Sequence, residues 1–223
     1  MNVFPEAEAV MPDRLDWEEV QRHLTSLVPE REPELQLMEA EAEATGFQII
    51  GPAAGFVCYQ LTRLVGARRV FELGSGYGYS TAWFARAVRD NGGGKVFHTV
   101  WDETLSAHAR RHLARLGLED LVHFHVGEAV AALAATDGPF DLIFNDIDKQ
   151  GYPDSLPVIA AKLRPGGLLI TDNALYHGRV FDAANQTPAT RGVREFVDRL
   201  AHDSAWISSL LPVRDGLLVA LKL

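Results

Sequence analysis

Phe71-Glu72-Leu73-Gly74-Ser75-Gly76-Tyr77-Gly78-Tyr79-Ser80 runs from an apolar stretch through three alternating glycines into a segment with helical spacing. That is the pattern of a strand turning tightly into a helix, where backbone N–H groups can approach a ligand. A tight turn with no ligand is the plainer alternative. A dinucleotide-binding turn sets its third glycine three residues after the second, with a helix start facing pyrophosphate. Here the glycines fall at 74, 76 and 78, and Glu72 stands in the strand. A carboxylate there repels pyrophosphate and suits an amino-acid ammonium group, which disfavours a nicotinamide-dependent oxidoreductase. Glu72 and the turn residues Gly74, Ser75, Gly76, Tyr79 and Ser80 are therefore the first candidate binding set.

Outward from this turn, short apolar runs at 70–73, 96–100, 122–126, 142–144 and 168–171 read as strands. Between them the segments 79–89, 104–116, 129–135 and 152–163 carry helical spacing. Repeated strand-helix units require right-handed crossovers and a parallel sheet covered on both faces. A helix around 193–202 then precedes two runs, 206–213 and 217–223, joined through Asp215-Gly216, a hairpin signal. The expected fold is α/β, a mostly parallel sheet finished by an antiparallel hairpin. On the amino-terminal side, apolar residues recur at helical spacing from Arg14 to Leu64, interrupted by Pro29, Pro33 and Gly51-Pro52, which predicts three helical pieces. The alternation of Glu and Ala over 39–44 reads as a helix with a solvated face. Residues 1–66 are expected to pack on the 67–223 core as one domain.

The 223 residues are 47% hydrophobic and 23% charged, ordinary for a soluble globular protein. Thirty acidic against 21 basic residues give a formal charge of -9, which sets nucleic acid and anionic membranes at a disadvantage as partners. Glu6 and Glu8 stand where a targeting segment would be basic, and no apolar stretch is long enough to cross a bilayer. A cytoplasmic protein is the expectation. The lone Cys58 excludes an intrachain disulfide and reads as a small buried residue.

Two strands end in acids. The run through Phe144 enters Asn145-Asp146-Ile147-Asp148-Lys149, and the run through Thr171 enters Asp172-Asn173. In a parallel sheet both emerge at the carboxyl ends of strands, beside the glycine-rich turn. Converging acids are costly unless a cation joins them, and Asp and Asn oxygens suit a hard ion: Mg2+ first, with Ca2+ or Mn2+ as alternatives. Asp146, Asp172 and Asn173 are the proposed ligands; helix capping is the competing role for each acid. Lys149, three residues after Asp146, is a candidate general base because a nearby cation favours the neutral amine; a surface ion pair with Asp148 is its bland alternative. After the second strand, Trp101 offers an indole for an adenine face and Asp102 a carboxylate for a ribose hydroxyl, though each could equally be a core residue or a helix-initiating acid. His108 with His112, and His123 with His125, are spaced for metal ligation, but neither pair shows a third ligand, and solvent-facing positions are expected for both.

Phe71 to Ser80, Asn145 to Lys149, Asp172-Asn173-Ala174-Leu175-Tyr176-His177-Gly178-Arg179-Val180 and Leu211-Pro212-Val213-Arg214-Asp215-Gly216-Leu217 together resemble the cation-dependent O-methyltransferase family of catechol and caffeoyl-CoA O-methyltransferases. The resemblance implies a class I methyltransferase-like (Rossmann-like) seven-stranded sheet with the hairpin at one edge. It implies S-adenosylmethionine near Glu72, Gly74 and Ser80, with Gly127, Glu128 and Ala129 toward adenine and Asp146 shared between cofactor and metal. It also implies a metal on Asp146, Asp172 and Asn173, Lys149 as base, and frequently a homodimer. At the family's ribose-binding acid this chain has Val100, so Asp102 substitutes, the local register slips, or cofactor affinity is altered. A Ser-Pro-x-x-Gly segment of the family appears as Gly51-Pro52-Ala53-Ala54-Gly55, which removes a hydroxyl near the acceptor side. The expected activity is metal-assisted methylation of a small catechol-like acceptor. The competing expectations are methylation of hydroxylated uridine in tRNA, with a basic surface at Arg110, Arg111 and Arg115, and a cofactor-binding protein without turnover.

Overall fold

Why the strand at the glycine-rich turn is apolar on both faces follows from its place in the computed structural model, which describes residues 16–223. Glu6, Glu8 and Arg14 lie outside the described residues. Strands β1 (Arg69–Leu73), β2 (Lys95–Val100), β3 (Val122–Val126), β4 (Phe140–Asn145) and β5 (Leu163–Thr171) are parallel. β6 (Trp206–Leu211) and β7 (Leu217–Lys222) form the antiparallel hairpin, and the seven strands lie in the order β3-β2-β1-β4-β5-β7-β6. This is the class I methyltransferase sheet.

Successive residues feed opposite cores. Val70, Leu142, Phe144 and Ile170 enter one apolar cluster, whereas Phe71, Leu73, Ile143 and Leu169 enter the other. The first is covered by α2 (Pro33–Thr45), α3 (Gly51–Leu64), α4 (Tyr79–Asp90) and α5 (Glu103–Arg115). The second is covered by α6 (Ala129–Ala135), α7 (Tyr152–Lys162) and α8 (Pro188–His202). Leu35, Met38, Ile50 and Cys58 sit in the first cluster beside Val70 and Val96, so the amino-terminal helices share their core with the sheet. Among the described residues no helix is long and apolar enough to cross a membrane.

The three amino-terminal pieces are α1 (Trp17–Ser26), α2 and α3. Pro33 opens α2, where its missing N–H costs nothing, Gly46 closes α2 at φ 72°, and Gly51-Pro52 begins α3. The face over 39–44 departs from expectation: Ala42 is buried, and Glu39 pairs with Arg31 at 2.8 Å and accepts the Tyr79 hydroxyl at 2.7 Å. Helix α8 starts earlier than its periodicity suggests because the Thr187 side chain accepts the Thr190 N–H and Pro188 takes the first turn.

The switch in strand order between β1 and β4 places the two sequence motifs side by side. The Asp146 N–H donates to the Leu73 carbonyl at 2.8 Å, and a Cβ on Gly74 would fall 2.5 Å from the Asp146 carbonyl oxygen. Helices α3 and α4 meet with similar economy: a Cβ on Gly55 would overlap the indole of Trp83, itself buried. Gly55→Ala is expected to lower unfolding free energy by about 1–3 kcal/mol through overpacking, measured by chemical denaturation.

Candidate active site

The glycine-rich turn is locked to its neighbours before any ligand is considered. Gly74, Gly76 and Gly78 hold φ of 84°, 50° and 90°, and Gly78 caps α4 in the left-handed conformation that suits glycine. The Ser75 N–H donates to the Thr99 carbonyl at 2.9 Å, the Thr99 N–H donates to Ser75 Oγ at 3.0 Å, and the Thr99 hydroxyl donates to the Glu72 carbonyl at 2.6 Å. Tyr77 and Tyr79 leave the turn toward α2: the first donates its hydroxyl to the Met38 carbonyl at 2.8 Å, the second to Glu39.

Glu72 is fully buried. Burial pushes its carboxyl up to about 7, opposed by the hydroxyls of Ser80, Thr81 and Ser75. Oε2 accepts from Thr81, while Oε1 has no hydrogen-bond partner. A buried acceptor left open in this way is costly unless a donor arrives, and a ligand ammonium is such a donor. Behind it lies His98, which no motif marked; burial lowers it to about 3, so the ring is neutral, and Nδ1 is 3.0 Å from the Thr81 hydroxyl.

A cavity of about 570 Å³ opens beside the turn, with Gly74, Val100, Trp101, Gly127, Ala129 and Asp146 on its wall. Trp101 is 70% exposed, an indole face open to the cavity rather than a core residue. Asp102 serves as the helix-initiating acid: its Oδ1 accepts the Leu105 N–H at 2.9 Å. Glu128 does the same for α6, accepting from Val130 N at 2.9 Å and from Ala131 N. The carboxylates on this cavity's wall are Asp146 and Asp148. Thr99, Ile147, Gln150, Tyr176 and Ala189, which sequence reasoning did not single out, complete it.

The strand-end acids do converge. Asp146, Asp172, Asn173 and Lys149 line one cavity of about 220 Å³, together with Gln48, His177 and Arg214. Lys149 Nζ lies 2.7 Å from Asp146 Oδ1 and 3.2 Å from the Ile147 carbonyl, so its ion pair is with Asp146 rather than Asp148. Asp172 is almost completely buried; burial first, then the neighbouring charge of Asp146, pushes its carboxyl up to about 7 against the pull of Arg214. Burial also raises Asp146, against the attraction of Lys149. Asp172 Oδ1 has no hydrogen-bond partner. Asn173, at φ 55°, donates its amide N–H to Asp215 Oδ2 at 3.0 Å, which turns the amide oxygen free. Asp146, Asp172 and Asn173 thus border one space with oxygen donors, the type that suits a hard cation. Arg214 was missed: it stands 3.6 Å from Asp172 Oδ2 at φ 51°, its own N–H held by Gln21 Oε1 at 2.6 Å. A second, more apolar cavity of about 720 Å³, walled by Trp17, Leu175 and Phe181, adjoins through His177 and Arg214.

The weaker candidates divide. His123 and His125 are exposed on β3, as expected. His112 is buried, and the third partner absent from the local sequence arrives from α2 as Glu41. Of the basic residues on α5, Arg110 pairs with Glu119 at 3.0 Å and Arg115 with Glu34 at 3.1 Å.

Residues 30–223 match the family model described as O-methyltransferase. The catechol O-methyltransferase of Niastella koreensis is 33% identical over 166 residues, 73% of this chain and 74% of that protein. The O-methyltransferase TomG of Streptomyces achromogenes, involved in tomaymycin synthesis and solved with SAM, superposes with a TM-score of 0.82 at 28% identity, covering 92% of this chain and 96% of that one. The O-methyltransferase of Bacillus cereus in complex with SAH gives 0.83 at 28% identity, covering 93% and 98%.

If the open oxygen of Glu72 receives an ammonium group, the bound state favours the ionised carboxylate while the free protein protonates below about 7. Affinity for S-adenosylhomocysteine should then be constant well above pH 7 and fall by up to about tenfold per unit below it. Calorimetry between pH 6 and 8 measures this slope, and Glu72→Gln should both weaken binding and flatten it.

Proposed function

Since the chain belongs to the O-methyltransferase family and is an S-adenosylmethionine-dependent enzyme of that kind, we propose that it methylates one hydroxyl of a small catechol-like acceptor, assisted by a divalent cation at Asp146, Asp172 and Asn173. The observation that carries this reading is the buried, unpartnered Oδ1 of Asp172 in the same small cavity as Asp146, Asn173 and Lys149. Two raised carboxyls side by side, one with an open oxygen, are expensive alone and become favourable around a positive ion. All-oxygen ligation favours Mg2+, with Mn2+ and Ca2+ sharing the preference.

A cation held by Asp146, Asp172 and Asn173 would supply charge that acidifies a phenolic hydroxyl, whose free pKa is about 10. The protein's own residues do the rest. Glu72 anchors the donor's amino-acid end, the turn at Gly74 to Gly78 fixes its path, and Trp101 covers the base. Lys149, on the wall of both the donor cavity and the acid cavity, takes the acceptor proton at Nζ. The acceptor oxygen then forms its bond to the methyl carbon as the carbon–sulfur bond breaks, a displacement that needs in-line placement more than further acid–base help. The 720 Å³ cavity suits an aromatic ring between Trp17 and Phe181, with its hydroxyls reaching past His177 and Arg214 toward Asp172. The identity of the Niastella koreensis catechol O-methyltransferase supports the same acceptor class.

A methyl-transfer assay over catechols tests the reading. Activity should vanish with EDTA and return with Mg2+; chelator-insensitive turnover would overturn the metal's part. Lys149→Ala should lower kcat by about 10²–10⁴-fold while S-adenosylhomocysteine affinity stays within about twofold, because a base acts after the donor is bound.

A further inference from the structure

Away from these cavities, we propose a second metal site, formed by Glu41, His108 and His112 and suited to a borderline ion such as zinc. His108 and His112 lie one turn apart on α5 and face α2, which brings Glu41 to them. His112 Nε2 is 2.9 Å from His108 Nε2, His108 Nε2 is 3.3 Å from Glu41 Oε1, and His112 Nε2 is 3.6 Å from Glu41 Oε2. Ligand atoms about 2.0–2.1 Å from a tetrahedral zinc ion stand about 3.3–3.4 Å apart. Two edges of such a face, His112 to His108 and His108 to Glu41 Oε1, are thus near that spacing; His112 meets the other oxygen of Glu41, and one ligand atom from each of the three residues lies within 4.8 Å of the other two. The His108 and Glu41 side chains are 23% and 34% exposed, so the fourth corner opens to water.

The surrounding residues complete a carboxylate–histidine–metal arrangement. Glu34 Oε1 lies 2.6 Å from His112 Nδ1, and Arg115 holds Glu34 at 3.1 Å. A carboxylate can only accept, so Nδ1 is the donor to Glu34, the ring orientation is fixed, and Nε2 is the atom turned toward His108 from a nearly inaccessible side chain. Without an ion the two Nε2 atoms stand at hydrogen-bond distance, 2.9 Å; an ion would replace that contact. Two imidazoles and one carboxylate select zinc, cobalt or nickel, whereas the all-oxygen set at Asp146, Asp172 and Asn173 selects magnesium, calcium or manganese. The two sites are thus separable by chemistry as well as place.

The ion would act as a clamp. The Tyr77 ring packs on both imidazoles, with centroids 5.4 Å and 5.9 Å away, and Tyr77 belongs to the glycine-rich turn. The α2 helix that supplies Glu41 also holds Tyr77 through Met38 and Tyr79 through Glu39. Joining α2 to α5 at this point fixes the turn from behind. The proposal does not rest on the acceptor or on the catalytic metal.

The test uses the full chain, stripped with chelator, dialysed and titrated with Zn2+ by calorimetry, with Co2+ absorption spectra as a second readout. Wild type should take up one equivalent of zinc with a higher melting temperature, and Asp172→Asn should keep both. His108→Ala and Glu41→Gln should each weaken zinc binding by at least about tenfold and lose the tetrahedral cobalt spectrum. Glu41→Gln preserves shape and decides the matter if His108→Ala misfolds. Absence of zinc uptake by wild type, uptake unchanged in Glu41→Gln, or uptake lost in Asp172→Asn would each overturn the site and leave only a hydrogen-bonded histidine pair, without bearing on methyl transfer.

Discussion

Everything at the site depends on how closely two backbones approach where the strand order reverses. The Asp146 N–H on the Leu73 carbonyl joins the end of β1 to the end of β4, and only a residue without a Cβ fits at position 74. Through that contact the glycine-rich turn and the acid-bearing loop become one surface. The proposed donor path and the proposed cation site would therefore be set by the same few bonds, which is what an in-line displacement requires of a rigid scaffold. Motion at Gly74 would misplace both partners together.

Around this contact the fold accumulates unfavourable negative charge. Glu72 and Asp172 are buried, each pushed up to about 7, and each has an oxygen without a partner. Such groups destabilise a free protein, and their persistence makes sense where a ligand supplies the missing partner. On the proposed reading the two carboxylates take different partners: an ammonium group at Glu72 and a metal ion at Asp172. Lys149 and Arg214 hold the acid cluster together meanwhile, through contacts of 2.7 Å and 3.6 Å that are loose enough on the arginine side to yield to a better cation.

Local pattern carried much of this into the sequence. Apolar alternation in the stretches around Val70 and Leu142 foretells two cores, because strand geometry sends neighbours to opposite faces, and the acids after Phe144 and Thr171 mark the rim because parallel strands must end together. Roles that depend on distant partners were not legible. Glu41 meets His108 and His112 only because α2 crosses α5, so the histidine pair looked incomplete and solvent-facing. Arg214 enters the site because a left-handed backbone at the hairpin aims it there, which no spacing rule expresses. Asp102 and Glu128 show the reverse difficulty: a carboxylate after a strand suits a ribose hydroxyl and a helix N-terminus equally, and both carboxylates cap helices.

The buried Val100 then changes how the donor is held. With aliphatic Val100 on the cavity wall and Asp102 engaged by α5, the proposed donor recognition rests on the ends of the molecule: Glu72 at the amino acid and Trp101 at the base. Both ends belong to segments that α2 and α5 brace, Glu72 through the turn whose tyrosines bind Met38 and Glu39, Trp101 through the strand end that leads into α5. On the two proposals above, an ion that ties the helices behind the turn would bear on donor binding without touching the donor.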